Sequence, residues 1–158
     1  MLGVPEKKKE LPHIPTQIMP IEKALYVAHV SVLGGPDGRA VSSDGVLDVK
    51  LARPRELGGA GSSGTNPEQL FAAAYAAGFI AAMRLVADRG HITLPEDISV
   101  QASVGIGMTP GGFGIEVTLR ISVPGVPHAE AKSLVRTAHA LCPYSNATRG
   151  IDVQLVVV

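Results

Sequence analysis

One thiol, one carboxylate in the first turn of a helix and a few cations are the side chains whose types and spacing could do chemistry here. Cys142 is the only cysteine, so no intrachain disulfide can form and any thiol chemistry must run through one sulfur or a partner. An unperturbed thiol is only a few per cent thiolate at neutral pH, and apolar surroundings reduce that fraction. A lone thiol is therefore a poor nucleophile, and the simpler reading of Cys142 is a small hydrophobe at a helix end. His139 stands three residues before it and could bring an imidazole to the sulfur, although incidental packing explains that spacing as well. Glu68 falls in the first turn of a helix, where the dipole alone justifies a carboxylate. A chemical role would also need a cation held against it, and Arg39, Arg55 and Arg149 compete for that place without a ranking. The five histidines (His13, His29, His91, His128 and His139) form no i, i+4 pair and no cluster with cysteine, so no metal is expected. The loop Gly58-Gly-Ala-Gly-Ser-Ser-Gly64 precedes a helix, as a phosphate cradle does. It lacks the lysine of a P-loop and a strand running into it. A strand, not a helix, follows Gly111-Gly112-Phe113-Gly114. No nucleotide or other cofactor is expected.

These residues must be positioned by a small number of elements. Residues 1–22 hold Pro5, Pro12, Pro15 and Pro20, too closely spaced for a helix or a central strand, and read as a flexible N-terminal arm. Residues 23–158 read as a single domain. Ala24–Leu33 is rich in β-branched residues and ends at Gly34-Gly-Pro-Asp-Gly38, a type I turn with Pro36 presetting φ. A strand over Arg39–Ser43 follows, then an Asp44-Gly45 turn and a strand over Val46–Leu51. Asn66 caps a helix with Pro67 at its first position and Gln69 three residues on. This helix runs to about Arg89, stops at Gly90 and is apolar all round from Leu70 to Met83, which requires protein on every side. Ile98–Ile106 and Ile115–Val123 alternate strictly and predict an antiparallel pair with one covered face. Ala129–Leu141 is an amphipathic helix broken at Cys142-Pro143, and Ile151–Val158 is a closing strand. The order predicts an α+β fold with an antiparallel sheet packed on a buried central helix. A chain of 158 residues cannot easily enclose that helix alone, so an interlocked homodimer is expected.

Composition narrows the function classes. Fourteen basic residues balance 14 acidic ones, which argues against general affinity for nucleic acid or an anionic membrane. The apolar run Leu70–Met83 is short and alanine-rich for a bilayer core of roughly 30 Å. Met1–Pro20 lacks the apolar segment of a signal peptide. A soluble, cytoplasmic protein acting on a small neutral molecule or a protein partner is expected.

Several uncommon strings occur in order: Asp37-Gly-Arg-Ala-Val-Ser-Ser-Asp-Gly45, Gly64-Thr-Asn-Pro-Glu-Gln-Leu-Phe-Ala-Ala73, Val104-Gly-Ile-Gly107 with Pro110-Gly-Gly-Phe-Gly-Ile115, and Ala138-His139 with Cys142-Pro-Tyr-Ser-Asn-Ala-Thr-Arg-Gly150. Over about residues 24–158 they resemble the organic hydroperoxide resistance (Ohr) branch of the OsmC superfamily. The resemblance implies an interlocked α+β homodimer with two active sites at the subunit interface. It also implies reduction of organic hydroperoxides, including those of fatty acids, as part of an oxidative-stress response. In that chemistry a thiolate on the central helix attacks the O–O bond and becomes a sulfenic acid, which condenses with a second cysteine to a disulfide. Dithiol partners such as lipoylated proteins then reduce it.

Carried over position by position, the resemblance makes Glu68 the carboxylate that holds an activating arginine and Cys142 the second, resolving cysteine. The first cysteine, in the family's Tyr-Ser-Ala-Cys-Phe pattern, falls on Gly78 of Tyr75-Ala-Ala-Gly-Phe79. The arginine, in a Gly-Gly-Arg-Asp-Gly turn, falls on Pro36. Arg149-Gly150-Ile151 lacks an asparagine that members usually carry after the glycine. Losing a nucleophile can cost on the order of 10⁶ in turnover, so peroxidase activity by the family route is expected to be lost or strongly reduced. Cys142 and Glu68 would be remnants of the site. One alternative is a non-catalytic binder of apolar, fatty-acid-like or hydroperoxide-like molecules in an interface pocket lined by Tyr75 and Phe79. Another is a structural partner for active relatives.

Overall fold

The structure is a computed structural model that describes residues 21–158. The arm expected over residues 1–22 lies almost wholly outside the described residues.

The first part is a small antiparallel sheet in the order β1 (Val30–Leu33), β2 (Arg39–Ser42), β3 (Asp48–Lys50). Between β1 and β2 a single 3-10 turn spans Gly35–Asp37 and is closed by the Gly38 N–H donating to the Gly35 carbonyl at 3.1 Å. This is the i to i+3 bond of the expected turn, with Pro36 at its second position. Gly34 and Gly35 take φ of 76° and 61°, values that an L side chain resists. The β2–β3 turn is set by Asp44, whose carboxylate accepts from the Ser42 hydroxyl at 2.5 Å and the Val46 N–H at 3.0 Å. The first strand is shorter than the expected Ala24–Leu33, because the ladder with β2 begins only at Val30. Upstream, Leu25, Tyr26 and Val27 are exposed. β-branched residues identify a segment suited to a strand, but a ladder needs a neighbour, and this chain supplies one only from Val30.

The second part carries the core. Helix α1 (Pro67–Gly90) is followed by β4 (Ser99–Thr109), β5 (Gly112–Ser122), α2 (His128–Leu141), a short α3 (Pro143–Ala147) and β6 (Val153–Val157). The α1 cap is as expected at Asn66, whose side chain accepts from the Gln69 N–H at 2.9 Å. The Gln69 side chain bonds Thr65 instead of completing a capping box. The helix ends one residue later than expected, with His91 in the left-handed region at φ 54°. The strands β4 and β5 are antiparallel in a register from Ser99–Ser122 to Thr109–Gly112, so the expected loop at 109–114 shrinks to a turn at Pro110-Gly111. Val117, Leu119 and Ile121 of β5 point into the core, as their alternation predicts. The sheet is not wholly antiparallel: β6 lies parallel to β5, because the chain returns to the sheet through helical crossover α2–α3.

Tyr75, Phe79, Ala82, Met83 and Ala87 of α1 form the core with β5 and with Ala131, Leu134, Val135 and Ala138 of α2. The expectation that α1 is covered on every side is not met by one chain. Ala73, Ala77, Ala81 and Leu85, one turn apart along the opposite face, are exposed. A single sheet and one companion helix can cover only one side of a helix. At 24 residues α1 is also long and apolar enough to cross a membrane by length and composition, which the run Leu70–Met83 understated. Here its other face packs on β4 and α2.

Candidate functional site on the central helix

Helix α1 presents Glu68 and Gly78, the two positions singled out by the resemblance, in different surroundings. Glu68, in the first turn, lines an open groove of about 440 Å³ with Pro54, Leu57, Ala72, Val104 and Ile106 among its walls and Glu56 as a second carboxylate. None of the candidate arginines bonds to it. Arg39 forms a two-pronged pair with Asp48, at 2.6 Å and 2.7 Å. That pair raises the Arg39 pKa above its ordinary value and, chiefly through the hydrogen bond, lowers that of Asp48. Arg55 lies across Gly61, and Arg149 donates to the Asn146 side chain at 2.7 Å. The turn bearing Pro36 is tied toward this groove through its neighbour. The Asp37 carboxylate accepts the Arg53 N–H at 2.9 Å and faces the Arg53 guanidinium at 3.6 Å, and the next residue, Pro54, is part of the groove wall.

Gly78 lies nearly three turns further on, beside α3. The Cδ2–Cε2 edge of the Tyr144 ring packs against it: a β-carbon built on Gly78 would stand 2.5 Å from Tyr144 Cδ2 and closer still to Cε2. Tyr144 in turn stacks on Tyr75, with centroids 5.9 Å apart and ring planes 28° from parallel. Tyr75 and Phe79, the expected pocket residues, are both fully buried core side chains. Cys142 is also fully buried, at the junction of α2 and α3.

The imidazole of His139 does not serve the sulfur as its spacing allowed. Its Nδ1 bonds the Ser145 hydroxyl at 2.9 Å. Ser145 also bonds the Tyr75 hydroxyl at 2.9 Å, and Tyr75 reaches Thr148 at 3.3 Å. This polar row, His139–Ser145–Tyr75–Thr148, joins all three helices through buried Ser145 and Thr148, and sequence reasoning missed it. The one signal was two polar residues spaced to face the same way just after Pro143. Among the described residues, no buried side-chain nitrogen or oxygen lacks a partner, so the row is fully satisfied. No three histidine, cysteine or carboxylate side chains gather as a metal site among the described residues.

Comparison with known proteins places this geometry. Residues 59–156 match the family model described as OsmC-like protein. The chain is 63% identical over 137 residues to the organic hydroperoxide resistance protein of Xanthomonas axonopodis pv. citri, covering 86% of this chain and 96% of that one. It is 44% identical to organic hydroperoxide resistance protein OhrB of Bacillus subtilis, over 84% of this chain and 97% of the relative. Among solved structures it is similar to an organic hydroperoxide resistance protein of Legionella pneumophila, with TM-score 0.81, 48% identity, and coverage of 85% and 98% of the two chains. The crystal structure of Bacillus subtilis OhrB gives TM-score 0.78 at 43% identity, with coverage of 85% and 100%. A helix start at Asn66-Pro67-Glu68, the turn at Gly34–Gly38 and the Cys142–Gly150 segment thus sit in a fold shared along nearly the whole described chain, and the protein belongs to the OsmC-like family, in its organic hydroperoxide resistance branch.

Proposed function

We infer that this protein acts in organic hydroperoxide resistance, the role its relatives' names carry, as a member whose thiol peroxidase step is lost or strongly reduced. The carrying observation is the state of the only thiol: Cys142 is fully buried in the apolar core, where a peroxide cannot reach it without local opening. Two further features support the reading. No thiol stands on α1, and an aromatic ring packs beside Gly78, the position the family resemblance assigns to it. No arginine is bound to Glu68, while the turn from which one would come holds Pro36. Glu68 and Cys142 then persist as parts of a site without its nucleophile.

The protein acts as a soluble, cytoplasmic homodimer in this reading. The exposed faces support a dimer: the Ala73–Ala77–Ala81–Leu85 stripe of α1 and the side chains of β1 and its approach, with Leu25 95% exposed and Leu33 77% exposed, are apolar surfaces of the kind that associate. The groove beside Glu68 suits an apolar ligand of the hydroperoxide or fatty-acid type, and any residual turnover would draw on a dithiol such as a lipoylated protein.

The test is consumption of tert-butyl hydroperoxide and a lipid hydroperoxide by the pure protein with a dithiol reductant, against a Cys142→Ser control. Equal rates are expected. A rate that depends on Cys142 would overturn the loss of the thiol step.

A further inference from the structure

A side chain at position 78 has no room. The β-carbon positions of 2.5 Å and less from the Tyr144 ring compare with ordinary carbon contacts of about 3.5–4.0 Å. The ring is held from three directions. Its face stacks on Tyr75. Its backbone carbonyl accepts from the Thr148 hydroxyl at 2.8 Å. Its neighbour Ser145 is bonded at 2.9 Å both to Tyr75 on α1 and to His139 on α2.

We propose that Tyr144 is the residue that occupies the side-chain space at Gly78 and closes it to a replacement side chain, and that His139 positions it through Ser145. The proposal goes beyond the functional reading above and leans on it only for the importance of position 78. Proton counting explains why His139 matters. The Thr148 hydroxyl has one proton and gives it to the Tyr144 carbonyl, so toward Tyr75 its oxygen can only accept. If His139 Nδ1 accepts, Ser145 donates to it and Tyr75 donates to Ser145. If Nδ1 donates, the row reverses: Ser145 donates to Tyr75, and Tyr75 to Thr148. Only the second puts a proton in every contact of the row; the first leaves the Tyr75 and Thr148 oxygens facing each other without one. Removing the imidazole leaves Ser145, 4% exposed, without one partner in a place water does not readily reach, and loosens the turn that carries Tyr144. The space a side chain at 78 would take is therefore filled by a phenol ring and is not a void.

The test is a substitution cycle with a sign as its readout. Gly→Ala inside a helix ordinarily stabilises. Gly78→Ala is expected to lower the urea midpoint while Tyr144 is present, and to raise it in a Tyr144→Ala background. Should Tyr144→Ala not fold, Tyr144→Leu, which removes the ring edge, carries the same comparison. Ring position is read separately by near-ultraviolet circular dichroism of the tyrosines: Gly78→Ala is expected to change the tyrosine band while Tyr144 is present and to leave it unchanged in the Tyr144→Ala background. His139→Ala is expected to move both readouts part of the way. His139→Asn, whose amide can stand where Nδ1 stood, is expected to restore them. A higher midpoint for Gly78→Ala with Tyr144 in place, or a tyrosine band indifferent to Gly78→Ala, would overturn the closure. Equal behaviour of His139→Ala and His139→Asn would overturn the positioning role. No readout here uses a hydroperoxide, so peroxidase turnover by the unaltered protein would sink the functional reading and leave this one standing.

Discussion

At the scale of residues, two side chains that sequence could weigh and two that it could not decide the account. The thiol of Cys142 was legible as a core hydrophobe, and its full burial agrees with that reading over the one that paired it with His139. Glu68 was legible as a first-turn carboxylate. Because it meets no cation among the described residues, Glu68→Gln should shift stability by no more than about 0.5 kcal/mol in urea unfolding. Tyr75 and Tyr144 were not legible in their real roles. Their contacts come from α3, a five-residue helix whose placement against α1 depends on tertiary packing, which no local pattern encodes. Tyr75→Phe strips the hydroxyl from Ser145 and Thr148 and should cost about 1–3 kcal/mol. The chain has no tryptophan and only three tyrosines, so near-ultraviolet circular dichroism reports the Tyr75–Tyr144 stack almost directly.

Elements were legible where the local signal was complete. The Asn66-Pro67 start of α1 contains its own cap, and Asn66→Ala should cost about 1 kcal/mol in thermal or urea unfolding. The alternation of β4 and β5 likewise fixed a face and a partner. The far end of α1 was misjudged by one residue because Gly90 offered itself as the stop, while the left-handed position falls on His91. His91→Gly should therefore stabilise, by about 1 kcal/mol. The direction of β6 was beyond any strand pattern, since it depends on how α2 and α3 carry the chain back across the sheet. The first sheet has an acid-sensitive fastening. Asp48 is held below its ordinary pKa of 3.8 by the hydrogen bond from Arg39, and Asp44 is lowered by the Ser42 hydroxyl and the Val46 N–H. A depressed folded-state pKa contributes stability above the unfolded value and loses it as pH falls through the folded value. Amide exchange in β1–β3 should thus be unaffected near neutrality and quicken below about pH 4, with Asp48→Asn removing part of that dependence. The pair is exposed, so the effect is small.

At the scale of the whole molecule, the single chain leaves unfinished what the sequence already marked as unfinished. The all-round apolarity of Leu70–Met83 called for cover on every side, and one face of α1 remains bare through Ala77 and Leu85. Sedimentation equilibrium should give twice the 16.4 kDa chain mass, and Ala77→Glu or Leu85→Glu should shift it toward monomer. The legible part of the molecule is thus its fold and its unmet surface, while the closing of Gly78 by Tyr144 required the folded chain. The central claim is that this scaffold carries no reactive sulfur. Its most direct measurement is mass spectrometry of the intact protein treated with a stoichiometric organic hydroperoxide and dimedone, which traps sulfenic acid. The expected result is an unmodified Cys142 thiol with the hydroperoxide undiminished; a dimedone adduct on Cys142 forming as the hydroperoxide disappears would contradict the account.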